Sequence, residues 1–206
     1  MNPSERKKLI DLYEKRFLAH GAKIETLGWK NADDQKLRFE VLSSGFGDLS
    51  HRTVCDVGCG FGDLKPFLEA RWPGVKYTGV DLSPSLLQQA AVRFPNDRFL
   101  LQDILAPDFN ECFDVFFLSG ALSYRLEDNL GFTRAMLSRM FSLSRLGVAA
   151  NFLSSYCNFQ HLHNYHANPE EMFTLAKELT PSVALRHDYP LYEFTLFLHC
   201  CQQEYL

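Results

Sequence analysis

The stretch Thr53-Val54-Cys55-Asp56-Val57-Gly58-Cys59-Gly60-Phe61-Gly62-Asp63 constrains this chain more than any other. Thr53 to Val57 is short, β-branched and apolar, which suits a buried strand. Three glycines break it into a turn, and Leu64 to Ala70 has the pattern of a helix. A strand, a glycine turn and a helix open a nucleotide-binding α/β unit. Glycine is needed in such a turn because a Cβ would keep a ligand away from the backbone.

The spacing of the glycines narrows the ligand. A dinucleotide site uses GxGxxG and sets the pyrophosphate on the helix N-terminus. Here the glycines are Gly58, Gly60 and Gly62, and Asp63 stands where the third glycine of that motif belongs. A second carboxylate, Asp56, precedes the turn. Acids beside the turn suit a cationic ligand better than a pyrophosphate. Three further strands follow. Tyr77 to Asp81 ends in an acid roughly 20 residues past the glycines, where a carboxylate can reach ribose hydroxyls. Arg98 to Ile104 carries Gln102 and Asp103 near its end, and Phe113 to Leu118 runs into Ser119-Gly120.

The Asp-x-Gly-x-Gly-x-Gly run with these strand ends resembles the class I S-adenosylmethionine-dependent methyltransferases. The resemblance is closest from about Thr53 to Leu153. It implies a Rossmann-like three-layer α/β sandwich with a seven-stranded, mostly parallel sheet and one antiparallel strand. It implies S-adenosylmethionine as cofactor, with Gly58, Cys59 and Gly60 against its methionine part and Asp56 helping to hold the ammonium. Asp81 is expected on the ribose, Leu82 beside the ribose or adenine, and Asp103 beside the adenine. Gln102, Ile104, Leu118 and Ser119 are expected along the same strand ends. The fourth strand lacks an Asn-Pro-Pro-Tyr sequence, which counts against an amino-directed nucleic-acid methyltransferase.

The chain has 206 residues, enough for one α/β domain with a sizeable core. We expect a helical cover over residues 1–50 and the Rossmann-like core over 51–206. The net charge of −4 gives no electrostatic case for nucleic acid. No apolar run is long enough to span a bilayer, and the first residues lack a signal-peptide core. The six cysteines have no zinc-knuckle spacing and read as free thiols, so the expected location is cytoplasmic, with no membrane partner and no metal.

Two helices are expected before the first strand, one from Ser4 as its cap to about Ala19 and one capped by Asn31. In the resembling family such helices cover the cofactor. Arg38 on the second helix can meet the cofactor carboxylate as a bidentate pair, or lie solvated on its helix. Trp29 either packs on the cofactor or plugs the edge of the core.

Methyl transfer is an in-line displacement, so much of its rate comes from holding the acceptor against the methyl group. The acceptor pocket should lie at the carboxyl ends of the fourth and fifth strands. That points to Tyr124 and to the segment from Ser154 to Asn168, which carries His161, His163 and His166. If a general base is used, His163 and His166 are equivalent by sequence. The expected function is methyl transfer to a small-molecule acceptor inside a chamber lined by Trp29, Tyr124, His163 and Tyr165. The alternatives are a cofactor-binding protein without catalysis and a protein methyltransferase. At the turn Arg186-His187-Asp188-Tyr189, a strand-end salt bridge competes with a contact to substrate.

Overall fold

The computed structural model describes residues 1–29 and 31–201. Seven strands form one sheet in the order β3-β2-β1-β4-β5-β7-β6. They are β1 (Thr53–Val57), β2 (Lys76–Asp81), β3 (Arg98–Leu101), β4 (Phe113–Leu118), β5 (Ser144–Leu153), β6 (Val183–Arg186) and β7 (Glu193–His199). The pairs from β3 to β5 are parallel, and β7 runs antiparallel to both β5 and β6. The strand order reverses beside β1, where β2 continues to one side and β4 to the other. That is the switch point at which open α/β sheets bind ligands.

Alternation along β4 explains why both faces of the sheet are covered. Phe116 and Leu118 join one core layer, and Val115 and Phe117 join the other. The first layer packs under α5 (Asn129–Leu143) and α6 (Pro169–Lys177), through Leu137, Met140, Met172 and Leu175. The second packs under α2 (Ala32–Ser43) and α3 (Leu64–Arg71), through Phe39, Leu42, Leu64 and Leu68. A parallel sheet buried on both faces needs such near-continuous apolar strands. A further helix, α4 (Pro84–Arg93), connects β2 to β3, with Ser83 as its cap.

The first helix, α1 (Pro3–His20), starts two residues earlier than the sequence suggests. Its cap is Asn2, not Ser4. Asn2 Oδ1 accepts the Glu5 amide at 2.9 Å, and Glu5 Oε2 accepts the Asn2 amide at 2.8 Å. This reciprocal box satisfies two amides that the helix itself leaves free, and proline suits the first helical position. A 3₁₀ turn (Ile24–Leu27) leads on toward Trp29. Glu14 ties α1 to α4, accepting hydrogen bonds from Ser83 Oγ at 2.6 Å and from the Ser85 hydroxyl and amide. Burial alone would raise the Glu14 carboxyl, but those hydrogen bonds outweigh it and hold the group below its ordinary value. Glu5 Oε1 accepts the Glu127 amide at 2.8 Å, which anchors the other end of α1. The helix therefore lies across the carboxyl ends of the central strands.

Two element ends differ from expectation. β3 stops at Leu101, so Asp103 sits in the following turn, where its Oδ1 accepts the Leu105 amide at 2.9 Å. α5 stops at Leu143, short of the end near Leu146 that its sequence pattern suggests, because β5 already begins at Ser144. At the β6–β7 turn, Arg186 pairs with Asp188 at 3.0 Å and Tyr189 is buried against Thr195. Arg186 to Tyr189 do not line the cavity described below, whereas Leu191 and Tyr192 at the far end of the same turn do.

Candidate active site

A cavity of about 820 Å³ opens at the carboxyl ends of β1, β2, β4 and β5 under α1. Its size falls in the range of small-molecule sites, about 300–1,000 Å³. The glycine turn forms its floor. Gly58 and Gly60 take φ values of 73° and 54°, a left-handed conformation that glycine adopts without a steric penalty. A Cβ on Gly58 would lie 2.7 Å from the Ala121 methyl, and one on Gly60 would lie 2.8 Å from Leu27. The turn is pinned to β2 by the Gly58 and Cys59 amides, which both donate to Val80 O.

Carboxylates crowd this floor. Asp56 is 2% exposed and accepts the Tyr77 hydroxyl at 2.7 Å. Burial, opposed by the tyrosine hydrogen bond and reinforced by the nearby Asp81 and Asp63, raises its carboxyl to about 7. Asp81 braces the turn from the next strand. Its Oδ2 accepts the Gly60 amide and its Oδ1 the Ser83 amide, each at 2.9 Å. Burial raises Asp81 as well, against the pull of these backbone amides. Asp63 is held by Arg93 at 2.7 Å and by Gln35 at 3.3 Å. Leu82, Gln102, Asp103 and Ile104 continue the wall toward β3, with Arg6 of α1 3.4 Å from Asp103.

Trp29 and Arg38 close the side nearest β4. The Arg38 guanidinium lies 3.9 Å from the center of the Trp29 ring, and both residues line the cavity. Arg38 is buried, with Nε and Nη2 paired to the two oxygens of Glu193 at 2.6 and 2.5 Å. Asn151 Nδ2 donates to Glu193 at 2.9 Å, and Asn151 Oδ1 accepts the Gly120 amide at 2.8 Å. Glu193 and Asn151 had no signal in a local motif. The only hint was a glutamate and an asparagine inside otherwise apolar strands.

The far wall comes from residues 120–126 and 154–167. The Tyr165 amide donates to Ser123 O, the Arg125 amide to His163 O, and the Ala167 amide to Leu153 O. These bonds fasten the histidine segment to the strand ends. Tyr124, His163 and His166 all line the cavity, with His163 exposed and His166 half-buried. Two expected lining residues lie elsewhere. Leu118 is fully buried in the first core layer, because it continues the alternation of β4, and Ser119 takes the wall position. Tyr165 packs against the same core layer and leaves the wall to Asn164 and His166.

Four buried side-chain polar atoms lack a hydrogen-bond partner among the described residues: Arg38 Nη1, Ser119 Oγ, Thr133 Oγ1 and His166 Nε2. Three of them belong to residues of this one cavity. A buried polar atom without a partner costs about 1–3 kcal/mol, so their concentration here marks a wall built for a polar ligand.

Residues 54–145 match the family model described as a methyltransferase domain. The protein Rv1506c of Mycobacterium tuberculosis (strain ATCC 25618 / H37Rv), named as a methyltransferase, is 35% identical over 153 residues. The match covers 71% of this chain and 92% of that protein. The chain belongs to the class I S-adenosylmethionine-dependent methyltransferases. Other curated methyltransferases are longer, and this methyltransferase spans 46% and 37% of two of them. Its fold is shared by magnesium protoporphyrin IX methyltransferase from Synechocystis PCC 6803, crystallised with S-adenosylhomocysteine. The TM-score is 0.69 at 16% identity, over 95% of this chain and 99% of that one. It is also shared by the N-methyltransferase NodS of Bradyrhizobium japonicum WM9. There the TM-score is 0.65 at 17% identity, over 92% and 97% of the two chains. The cofactor of this methyltransferase is S-adenosylmethionine, and the cavity suits it. The acids of the floor match a cation, and the orphaned guanidinium nitrogen matches a carboxylate. Among the described residues, no helix is long and apolar enough to cross a membrane, and no cluster of three or more His, Cys, Asp and Glu is placed to hold a metal.

Proposed function

We propose that this methyltransferase modifies a small molecule held wholly inside the cavity. The observation that carries the reading is the set of three orphaned polar atoms distributed around one cavity. Arg38 Nη1 can only donate, Ser119 Oγ can do either, and an imidazole nitrogen adds a third contact point. The cofactor accounts for the first of these: Arg38 holds its carboxylate, Asp56 its ammonium and Asp81 its ribose. Gly58, Cys59 and Gly60 let the backbone approach it, Leu82, Gln102, Asp103 and Ile104 flank its base, and Trp29 and Ser119 complete the wall. When bound, S-adenosylmethionine supplies an electrophilic methyl group on a positively charged sulfur. The chain's own residues bind, orient and exclude water. Arg38 is fixed by Glu193 before any ligand arrives, so little side-chain entropy is lost on binding.

The acceptor end is formed by Tyr124, His163, Asn164 and His166, with Phe159 at the rim. α1 lies over the cavity through Leu9, Leu12 and Tyr13, which favours a small acceptor over a polymer. The substrate in the printed name of the Synechocystis relative, magnesium protoporphyrin IX, is likewise a small molecule. Calorimetry with S-adenosylhomocysteine and with NAD, followed by turnover on a small-molecule extract, tests the proposal. Binding of S-adenosylhomocysteine alone and a methylated product of low mass are expected. Methylation confined to protein in the same extract would refute it.

A further inference from the structure

We infer that His166 is the proton acceptor of the reaction and that the atom it serves is a hydroxyl oxygen. The inference rests on the small-molecule reading above and goes on to name the acceptor's chemistry.

The argument starts from the tautomer. His166 Nδ1 lies 3.0 Å from the backbone oxygen of Ser154. A carbonyl only accepts, so Nδ1 carries the hydrogen. In the neutral ring the lone pair is then on Nε2. Nε2 is the buried atom left without a partner. Cys157 Sγ lies 3.5 Å from Nδ1 and leaves Nε2 untouched. The ring is held firmly because its anchor is held firmly. Ser154 is fully buried, its amide donates to Tyr192 O at 2.9 Å, and it bridges to Ala167, the residue after His166. His161 and His163 are exposed and, among the described residues, show no comparable hydrogen-bonded anchor for their rings. The two histidines that the sequence left equivalent are therefore separated by the structure.

A lone pair without a protein partner is free to accept a proton from a molecule bound in the cavity. Among the described residues, the other titratable groups around this part of the wall are Cys157, His161 and His163 on the same segment, Tyr124 across from it, and Tyr192 and Glu193 at β7. Glu193 is committed to Arg38 and Asn151. Among the described residues no free carboxylate is left there to hold an ammonium, and the proposed function engages Arg38 on the cofactor side. The acceptor that fits this end is neutral and protic. A hydroxyl is a weak nucleophile while it keeps its proton, and a phenol gives it up only near pH 10. It therefore needs the base that Nε2 supplies. The acceptor oxygen bonds to the methyl carbon as the methyl–sulfur bond breaks. The sulfur keeps that electron pair, the acceptor proton passes to Nε2, and the imidazolium returns it to water. The products are a methyl ether and S-adenosylhomocysteine.

The test uses full-length protein, S-adenosylmethionine carrying ¹³C in its methyl group, and a small-molecule extract. The ¹³C shift of the product methyl identifies the atom that received it. A methyl ether is expected. A methyl on nitrogen, on carbon or in a carboxylate ester overturns the hydroxyl assignment and leaves the small-molecule reading standing. No low-mass product at all overturns both. The role of His166 is read separately. His166→Asn keeps a donor toward Ser154 O and removes the base. It should bind S-adenosylhomocysteine as the wild type does by calorimetry, yet lose about 10²–10⁴-fold in rate along with the acid limb of the pH–rate profile. Labelled histidine in the wild type, read by ¹⁵N resonance without turnover, should show the Nδ1–H tautomer for His166. An Nε2–H tautomer, or a variant with wild-type rate and pH profile, refutes the base.

Discussion

Replacing Asp56 by asparagine should stabilise the ligand-free protein, and only at the upper end of the pH range. Asp56 is buried and its carboxyl is raised from its ordinary 3.8 to about 7. A carboxyl raised on folding contributes stability that is complete below pH 3.8 and is lost as pH rises through 7. Each pH unit in that window is worth about 1.4 kcal/mol, so ionised Asp56 costs the ligand-free fold about 4 kcal/mol at pH 8. Asparagine has no charge to desolvate and keeps an oxygen for the Tyr77 hydroxyl. Its buried amide hydrogens cost about 1–3 kcal/mol. The variant should thus be more stable by about 1–3 kcal/mol at pH 8 and roughly equal to the wild type at pH 5. Urea unfolding of both proteins at the two pH values measures this, and the other titrating groups cancel in the comparison. A stability difference that does not change between pH 5 and pH 8 would refute the reasoning. The same variant should bind S-adenosylhomocysteine more weakly if, as proposed, Asp56 holds the ammonium with that charge.

Three further outcomes are expected. Asp81→Ala removes the acceptor for the Gly60 and Ser83 amides as well as the proposed ribose contact, so it should lower stability by about 1–3 kcal/mol and also weaken cofactor binding; calorimetry and denaturation separate the two effects. Arg38→Met leaves Glu193 buried and unpaired at a cost of about 3–5 kcal/mol, while Arg38→Met with Glu193→Leu should recover most of the stability and none of the cofactor affinity. Gly120→Ala places a methyl in the Trp29 ring at a φ of 79°, so tryptophan emission should shift and stability should fall by about 1–3 kcal/mol.

The parts of this site that were legible in the sequence are those carried by neighbouring residues. Asp56, Gly58, Gly60 and Asp81 announce themselves because each closes a strand or makes a turn, and local chemistry places them. Leu118 and Ser119 show the limit of reading strand ends as a block. The alternation of β4 already assigns Leu118 to the core layer of Phe116, and only the next residue reaches the wall. The cap of α1 went to Asn2 over Ser4 because the decisive partner, Glu5, fits the box only from Asn2. The Arg38–Glu193 pair spans 155 positions of chain and joins a helix to the strand inserted last in the sheet. No local pattern encodes such a pair. His163 and His166 differ in whether a buried backbone carbonyl meets the ring, which is a property of tertiary placement alone.

A crystal structure of the protein with S-adenosylhomocysteine tests the central claim most directly. The cofactor should lie in this cavity with its carboxylate on Arg38 Nη1, its ammonium beside Asp56 and its ribose on Asp81. His166 Nε2 should face the space next to the sulfur. A cofactor whose carboxylate bypasses Arg38, or a His166 ring turned away from the sulfur, would contradict the account.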